Sequence, residues 1–195
     1  MQLTFPTILT LLRIALIPVL VLFFYLPFQW SNFACVVIFV TASITDLLDG
    51  YLARRTGQST SFGAFLDPVA DKLMVATALI LLIQQHPTIL FAIASAIIIG
   101  REISISALRE WMAELGESGL LKVTIFGKVK TGFQMTAISF LLYEEPIFML
   151  PIGLLGQLLL YAAAALTLWS MYTYIRAAWP AMSNASRTDT DDSDF

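Results

Sequence analysis

The chain is poor in the residues that most often build soluble catalytic sites. It has one cysteine, one histidine and only 13% charged residues in a length of 195. With a single Cys35 no internal disulfide forms and no thiolate metal cluster can be assembled. Cys35 sits in an apolar run, where a free thiol behaves as a small hydrophobe. The lone His86, between Gln85 and Pro87, reads as a loop residue, so chemistry built on a histidine base or a histidine metal cage is excluded. A soluble domain carries about 25% charged residues. The deficit here is made up by apolar ones, 58% of the chain, with a mean hydropathy of +0.80. That places the chain among membrane proteins. The formal net charge of −3 decides little, because the charges are segregated along the sequence.

A membrane-crossing helix needs about 20 mostly apolar residues. Six stretches qualify: Ile8 to Pro27, Phe33 to Ala53, Phe62 to Gln84, Ile89 to Met112, Thr124 to Tyr143, and Pro151 to Trp179. The expected fold is therefore all-α, a polytopic six-helix membrane domain over residues 1–180. The remainder, 181–195, is acidic and polar with little to bury, and composition predicts a disordered tail. No cleavable signal peptide is expected, since the first apolar run contains Arg13 and Pro18. With six spans, all eleven Lys and Arg residues fall on the side that holds both termini, while the far side has His86, Glu144 and Glu145. Positive loops stay cytoplasmic, so both termini and the charged machinery are expected to face the cytoplasm.

One run breaks the apolar pattern. DLLDGYLARRTGQSTSFGAFLDPVAD, from Asp46 to Asp71, carries four carboxylates. Acids inside a membrane are costly and mark functional sites by default. Asp46 and Asp49 are three residues apart, and Asp67 and Asp71 four apart, so on helices each pair shares a face. A short loop makes the two helices antiparallel neighbours, and the pairs converge near their cytoplasmic ends. Four oxygen donors without His or Cys suit Mg²⁺ or Mn²⁺ rather than zinc, and two ions can share them, the arrangement that clamps both oxygens of a phosphate displacement. Gly50, Ala53 and Gly63 are small enough to let a flat group approach the backbone, although small residues also serve plain helix packing.

A second polar cluster lies in GREISISALREWMAE and GKVKT. Arg101 and Arg109 fall on nearly one helix face, and Lys128 adds charge. Such a patch fits a phosphate-bearing co-substrate, against the alternative of side chains snorkelling to the interface. Lys130, two residues from Lys128, is expected to point elsewhere.

The run fits D-x2-D-G-x2-A-R-x8-G-x3-D-x3-D, which resembles the signature of the CDP-alcohol phosphotransferases. The likeness extends over almost the whole chain. PTILTLLRI, FGAFLDPVADKLMVA, REISISALREWMAELG and GKVKT narrow it to the bacterial branch whose acceptor is glycerol 3-phosphate. The resemblance implies a homodimer of six-helix subunits in the bacterial inner membrane, using CDP-diacylglycerol and glycerol 3-phosphate, with no nucleic-acid partner. It assigns Asp46, Asp49, Asp67 and Asp71 to the metals, with Asp71 also the general base. It places Gly50, Ala53, Arg54 and Gly63 around the cytidine diphosphate; Thr10 is expected beside them, and the patch of Arg101, Arg109 and Lys128 is the expected seat of the acceptor phosphate. The chain departs from the pattern at Thr7, where many relatives have Asn. Within the family the rival acceptors are inositol phosphate and phosphatidylglycerol. Outside it, a divalent-cation transporter also uses intramembrane acids, but needs a polar path to the far side where this sequence is nearly all apolar.

Overall fold

The computed structural model describes residues 5–56, 61–114, 125–146 and 149–191; the side chains at 5–6, 47, 49–56, 61–62, 64–65, 113–114, 125–129 and 177–191 lie outside that description. Among the described residues there are six helices and no β-strand: α1 (Phe5–Tyr25), α2 (Ser31–Thr56), α3 (Ser61–Gln85), α4 (Ile89–Glu114), α5 (Ile125–Tyr143) and α6 (Ile152–Asp191). The all-α expectation holds, and each helix falls on one expected stretch. Two ends differ. α2 runs past Ala53 to Thr56, and α6 runs past Trp179 to Asp191, into the segment that composition reads as a tail. Extending an existing helix adds one hydrogen bond per residue fixed, far easier than nucleating a new one.

Local chemistry sets the turns. Thr88 caps α4, its Oγ1 accepting from the Phe91 amide at 3.3 Å, which satisfies one of the orphan donors at a helix start. Glu144 closes α5 in the left-handed region, with φ of 59°. α5 and α6 then approach so closely that a Cβ on Gly156 would meet Leu141 Cγ at 2.8 Å and the Ala137 carbonyl oxygen at 3.2 Å. Only glycine fits there without moving backbone.

α1 packs against α2 and α3, α6 against α4 and α5, and the α2–α5 and α3–α4 contacts join the two groups. The shared core holds Leu20, Phe39, Leu79, Leu82, Phe91, Ile98, Ile138 and Leu160. The outside is apolar too: Ile80, Ile89, Leu90 and Trp169 are largely exposed, Ile89 to 83%. A continuous apolar exterior would aggregate in water and suits a protein in lipid. Among the described residues, three helices are long and apolar enough to cross a membrane, over Thr7–Tyr25, Ile89–Met112 and Ile152–Arg176. In α2 an apolar helical stretch covers Ser31–Asp46 among the described residues. The buried charged side chains among the described residues are Arg13, Arg101 and Lys130, with Arg13 and Lys130 each only 1% exposed. Burial of that kind requires partners.

Candidate active site

Three helix ends supply the acidic half. Near the start of α1, Thr7, Thr10 and Arg13 recur every third residue and are buried, so they line one face. The end of α2 brings Asp46, and the start of α3 brings Gly63, Asp67 and Asp71. Arg13 Nη1 donates to Asp46 Oδ1 at 2.7 Å, and the Thr10 hydroxyl donates to Asp67 Oδ1. α1 therefore holds one carboxylate from each of the two acidic helices. Asp46 remains open, its side chain 35% exposed. Asp71 lies within electrostatic range of Asp46, Arg13, Glu102 and Lys72. Lys72 donates to the Ser106 hydroxyl on α4.

Asp46, Asp67 and Asp71 thus gather at one end of the bundle. Asp49 lies on α2 one turn after Asp46, and its side chain is outside the described residues, as are the side chains of Ala53 and Arg54 and the surroundings of Gly50. Among the described residues no three His, Cys, Asp or Glu groups form a complete metal cage. The donor set still fits a hard divalent cation: it is carboxylate and hydroxyl oxygen, and hydrogen bonds from Arg13 and Thr10 fix two of the carboxylates in orientation, as outer partners do around metal ligands.

α4, α5 and α6 supply the basic half. Glu102 Oε1 accepts from Lys130 Nζ at 2.6 Å and from Arg101 Nη1 at 3.1 Å. Arg101 Nη2 also donates to the Ser170 hydroxyl at 3.3 Å. Arg109 Nη2 donates to the Tyr174 hydroxyl at 3.3 Å. Both guanidiniums lie within cation–π range of the Tyr174 ring, Arg101 Cζ at 5.8 Å and Arg109 Cζ at 5.6 Å from its centroid.

The expected facing of Arg101 and Arg109 is thus met by a shared partner. Lys130 is a correction: helical spacing turns it away from the cluster, yet it sits buried within it. Lys130 lies on the inward stripe of α5 with Gln134, Ala137, Ile138 and Leu141, and its ammonium meets Glu102 there. Lys128 has its side chain outside the described residues. Sequence reading puts Glu102 in this cluster without a partner, and misses Ser170 and Tyr174. The i, i+4 step between Ser170 and Tyr174 on an otherwise apolar helix is the signal that points to the last two. His86 lies at the opposite end, where Gln157 meets its Nδ1 at 3.4 Å and Glu144 comes to 3.9 Å. It has no part in either cluster.

A small, mostly apolar cavity of about 100 Å³ opens between α3 and α4 beside Lys72 and Glu102, lined also by Leu73, Ala76, Ile99 and Ile103. The two charged clusters thus share a border at the α3–α4 contact, next to apolar surface. Such a border can receive a molecule that is part lipid and part anion.

Comparison with known proteins agrees. Residues 3–169 match the family described as CDP-alcohol phosphatidyltransferase. A Pseudomonas fluorescens protein named CDP-diacylglycerol–glycerol-3-phosphate 3-phosphatidyltransferase is 52% identical over 187 residues, covering 94% of this chain and 94% of its own length. Proteins of the same name from Escherichia coli K12 and Shigella flexneri serotype 5b are each 52% identical over 178 residues, covering 91% of this chain and 96% of theirs.

Proposed function

The chain belongs to the CDP-alcohol phosphatidyltransferase family, and we propose that it transfers the phosphatidyl group of CDP-diacylglycerol to glycerol 3-phosphate. The products are phosphatidylglycerophosphate and CMP. The observation that carries this reading is the border between an acidic and a basic cluster, where Lys72, beside Asp71 in sequence, and Glu102 line one cavity. One side suits a metal-bridged pyrophosphate. The other sets Arg101 and Lys130 on Glu102 and Arg109 on Tyr174, and so keeps positive charge for a phosphate.

In the reaction the acceptor hydroxyl oxygen bonds to the lipid-bearing phosphorus of the pyrophosphate. The bond from that phosphorus to the oxygen of the CMP phosphate breaks, and CMP departs. Asp71 takes the hydroxyl proton, as a carboxylate within reach of a reacting group can. Asp46, Asp49 and Asp67 complete the donor set for Mg²⁺ or Mn²⁺, two ions on this number of carboxylates. Bound there, the cations would neutralise charge gathering on the departing phosphate. Arg13 and Thr10 hold Asp46 and Asp67 in place. Gly50, Ala53, Arg54 and Gly63 form the surface for the cytidine diphosphate. Arg101 and Arg109, with Lys128 and Lys130, receive the acceptor phosphate, which is best bound by charge-assisted hydrogen bonds.

The setting follows from the same charges. Six spans with both termini in the cytoplasm would put every Lys and Arg on one side, in the inner membrane of a bacterium. There the lipid substrate stays in the bilayer and the water-soluble acceptor enters from the cytoplasm. A homodimer is part of this reading, as is a cytoplasmic segment 181–195 beyond the membrane domain.

The test is a product assay with purified protein, CDP-diacylglycerol and a panel of acceptors. Glycerol 3-phosphate should be consumed with release of CMP, while inositol phosphate, phosphatidylglycerol and glycerol should react poorly. Preferential use of one of those three would overturn the acceptor assignment.

A further inference from the structure

Arg101 and Arg109 are eight residues apart, about 12 Å along a helix, yet both side chains lean to the same ring on α6. Tyr174 is buried, packed in a small apolar cluster with Ile105, Met112, Leu108 and Met171, so its position is fixed by the α4–α6 contact. Its hydroxyl accepts from Arg109, and one turn earlier Ser170 accepts from Arg101 while donating its own proton to the Thr167 carbonyl at 3.0 Å.

Holding cations together costs energy through mutual repulsion, most where solvent is scarce, as it is at the buried Arg101 and Lys130 and less so at the exposed Arg109. A carboxylate lowers that cost by cancelling charge, and Glu102 does so for Arg101 and Lys130. An aromatic face lowers it differently: its quadrupole attracts a cation and leaves the net charge intact. Glu102 contacts Arg101 and Lys130 while Arg109 meets Tyr174, so among these contacts positive charge exceeds negative. A phosphate monoester carries about −1.5 to −2 near pH 7, opposite in sign to that surplus.

We propose that Tyr174 is a positioning residue, holding Arg101 and Arg109 as an uncancelled pair for the phosphate of the acceptor. This rests on the acceptor reading above and adds to it the element that keeps the two arginines together. Tyr174 touches neither substrate. Its effect passes through the guanidiniums and belongs to the affinity for a phosphate-bearing acceptor.

The experiment compares wild type, Tyr174→Phe and Tyr174→Leu in detergent or lipid-reconstituted form, varying each substrate in turn, with inorganic phosphate as a competing anion. Phe keeps the ring and loses the hydroxyl. Leu keeps apolar bulk and loses the face. The acceptor KM should rise about threefold in Tyr174→Phe and about tenfold in Tyr174→Leu, the latter equal to ~1.4 kcal/mol. The inhibition constant of inorganic phosphate should rise in parallel, while kcat and the KM for CDP-diacylglycerol stay at wild-type values. A purely structural role would lower the active fraction and leave both KM values unchanged. That result in Tyr174→Leu, or in Tyr174→Phe should the Leu variant not fold, would overturn the proposal. Wild-type protein that turns over no phosphate-bearing acceptor would sink the acceptor reading and this inference with it. Normal wild-type turnover beside an unchanged variant would sink only the role of Tyr174.

Discussion

Arg13 and Asp46, thirty-three residues apart in sequence, meet at 2.7 Å and tie the start of α1 to the end of α2. The guanidinium is 1% exposed and the carboxylate 35%, so one partner is sealed in the bundle and the other opens toward the site. The first helix, long and apolar enough to cross a membrane, thereby also contributes to the proposed site.

Removing that tie should cost both stability and rate. Arg13→Gln leaves Asp46 without its buried partner. Breaking a fully buried pair costs about 3–5 kcal/mol, and the exposure of Asp46 reduces this to about 1–3 kcal/mol. The variant should melt at a lower temperature and turn over slowly, with Arg13→Lys intermediate in both. Thermal melts in detergent beside initial rates check it. A variant of wild-type melting temperature and wild-type rate would show that the contact matters to neither.

Asp46→Asn, Asp49→Asn, Asp67→Asn and Asp71→Asn should each lower turnover by about a hundredfold or more, on the scale of losing one transition-state electrostatic contact. Asparagine keeps the volume and removes the charge that attracts a divalent ion, so the proteins should remain folded. Circular dichroism and gel filtration report the fold, and rates at limiting Mg²⁺ report the site. Two of the four behaving as wild type would contradict a two-ion arrangement.

Arg101→Gln should raise the acceptor KM by roughly one to two orders of magnitude, since a charge-assisted contact to phosphate is worth about 1.5–3 kcal/mol and 1.4 kcal/mol is tenfold. The KM for CDP-diacylglycerol should hardly move. Equal weakening of both substrates would remove Arg101 from the acceptor pocket.

Topology has its own test. In a Cys35→Ser background, a thiol probe that cannot cross the membrane should modify a cysteine placed at His86 from outside the cell. It should miss one placed at Ser186. The opposite pattern would invert the orientation.

Much of this was legible in the sequence because the membrane makes polar residues conspicuous. Asp46, Asp67, Asp71 and Arg101 are costly in lipid and stand at spacings that share a helix face. The gap lies in the partners. Thr7, Thr10 and Arg13 repeat every third residue, but which helix they face is set by the packing of α1 against α2 and α3. Lys130 shares the inward stripe of α5 with Gln134, Ala137 and Ile138, a stripe that the spacing from Lys128 alone does not reveal. Tyr174 reads as one more aromatic in an apolar helix until α4 packs beside it. The end of α6 was unreadable for a different reason: composition registers how little a segment can bury, while helix extension depends on the turn that precedes it.

The most direct test of the account is a coupled product measurement. Purified protein is incubated with CDP-diacylglycerol and labelled glycerol 3-phosphate, with Mg²⁺ and again with a chelator, and CMP and labelled lipid are both quantified. The account predicts equal amounts of CMP and phosphatidylglycerophosphate, no product in chelator, recovery when Mg²⁺ or Mn²⁺ is restored, and almost none from Asp71→Asn under any condition. Undiminished turnover in chelator, or CMP release without labelled lipid, would contradict it.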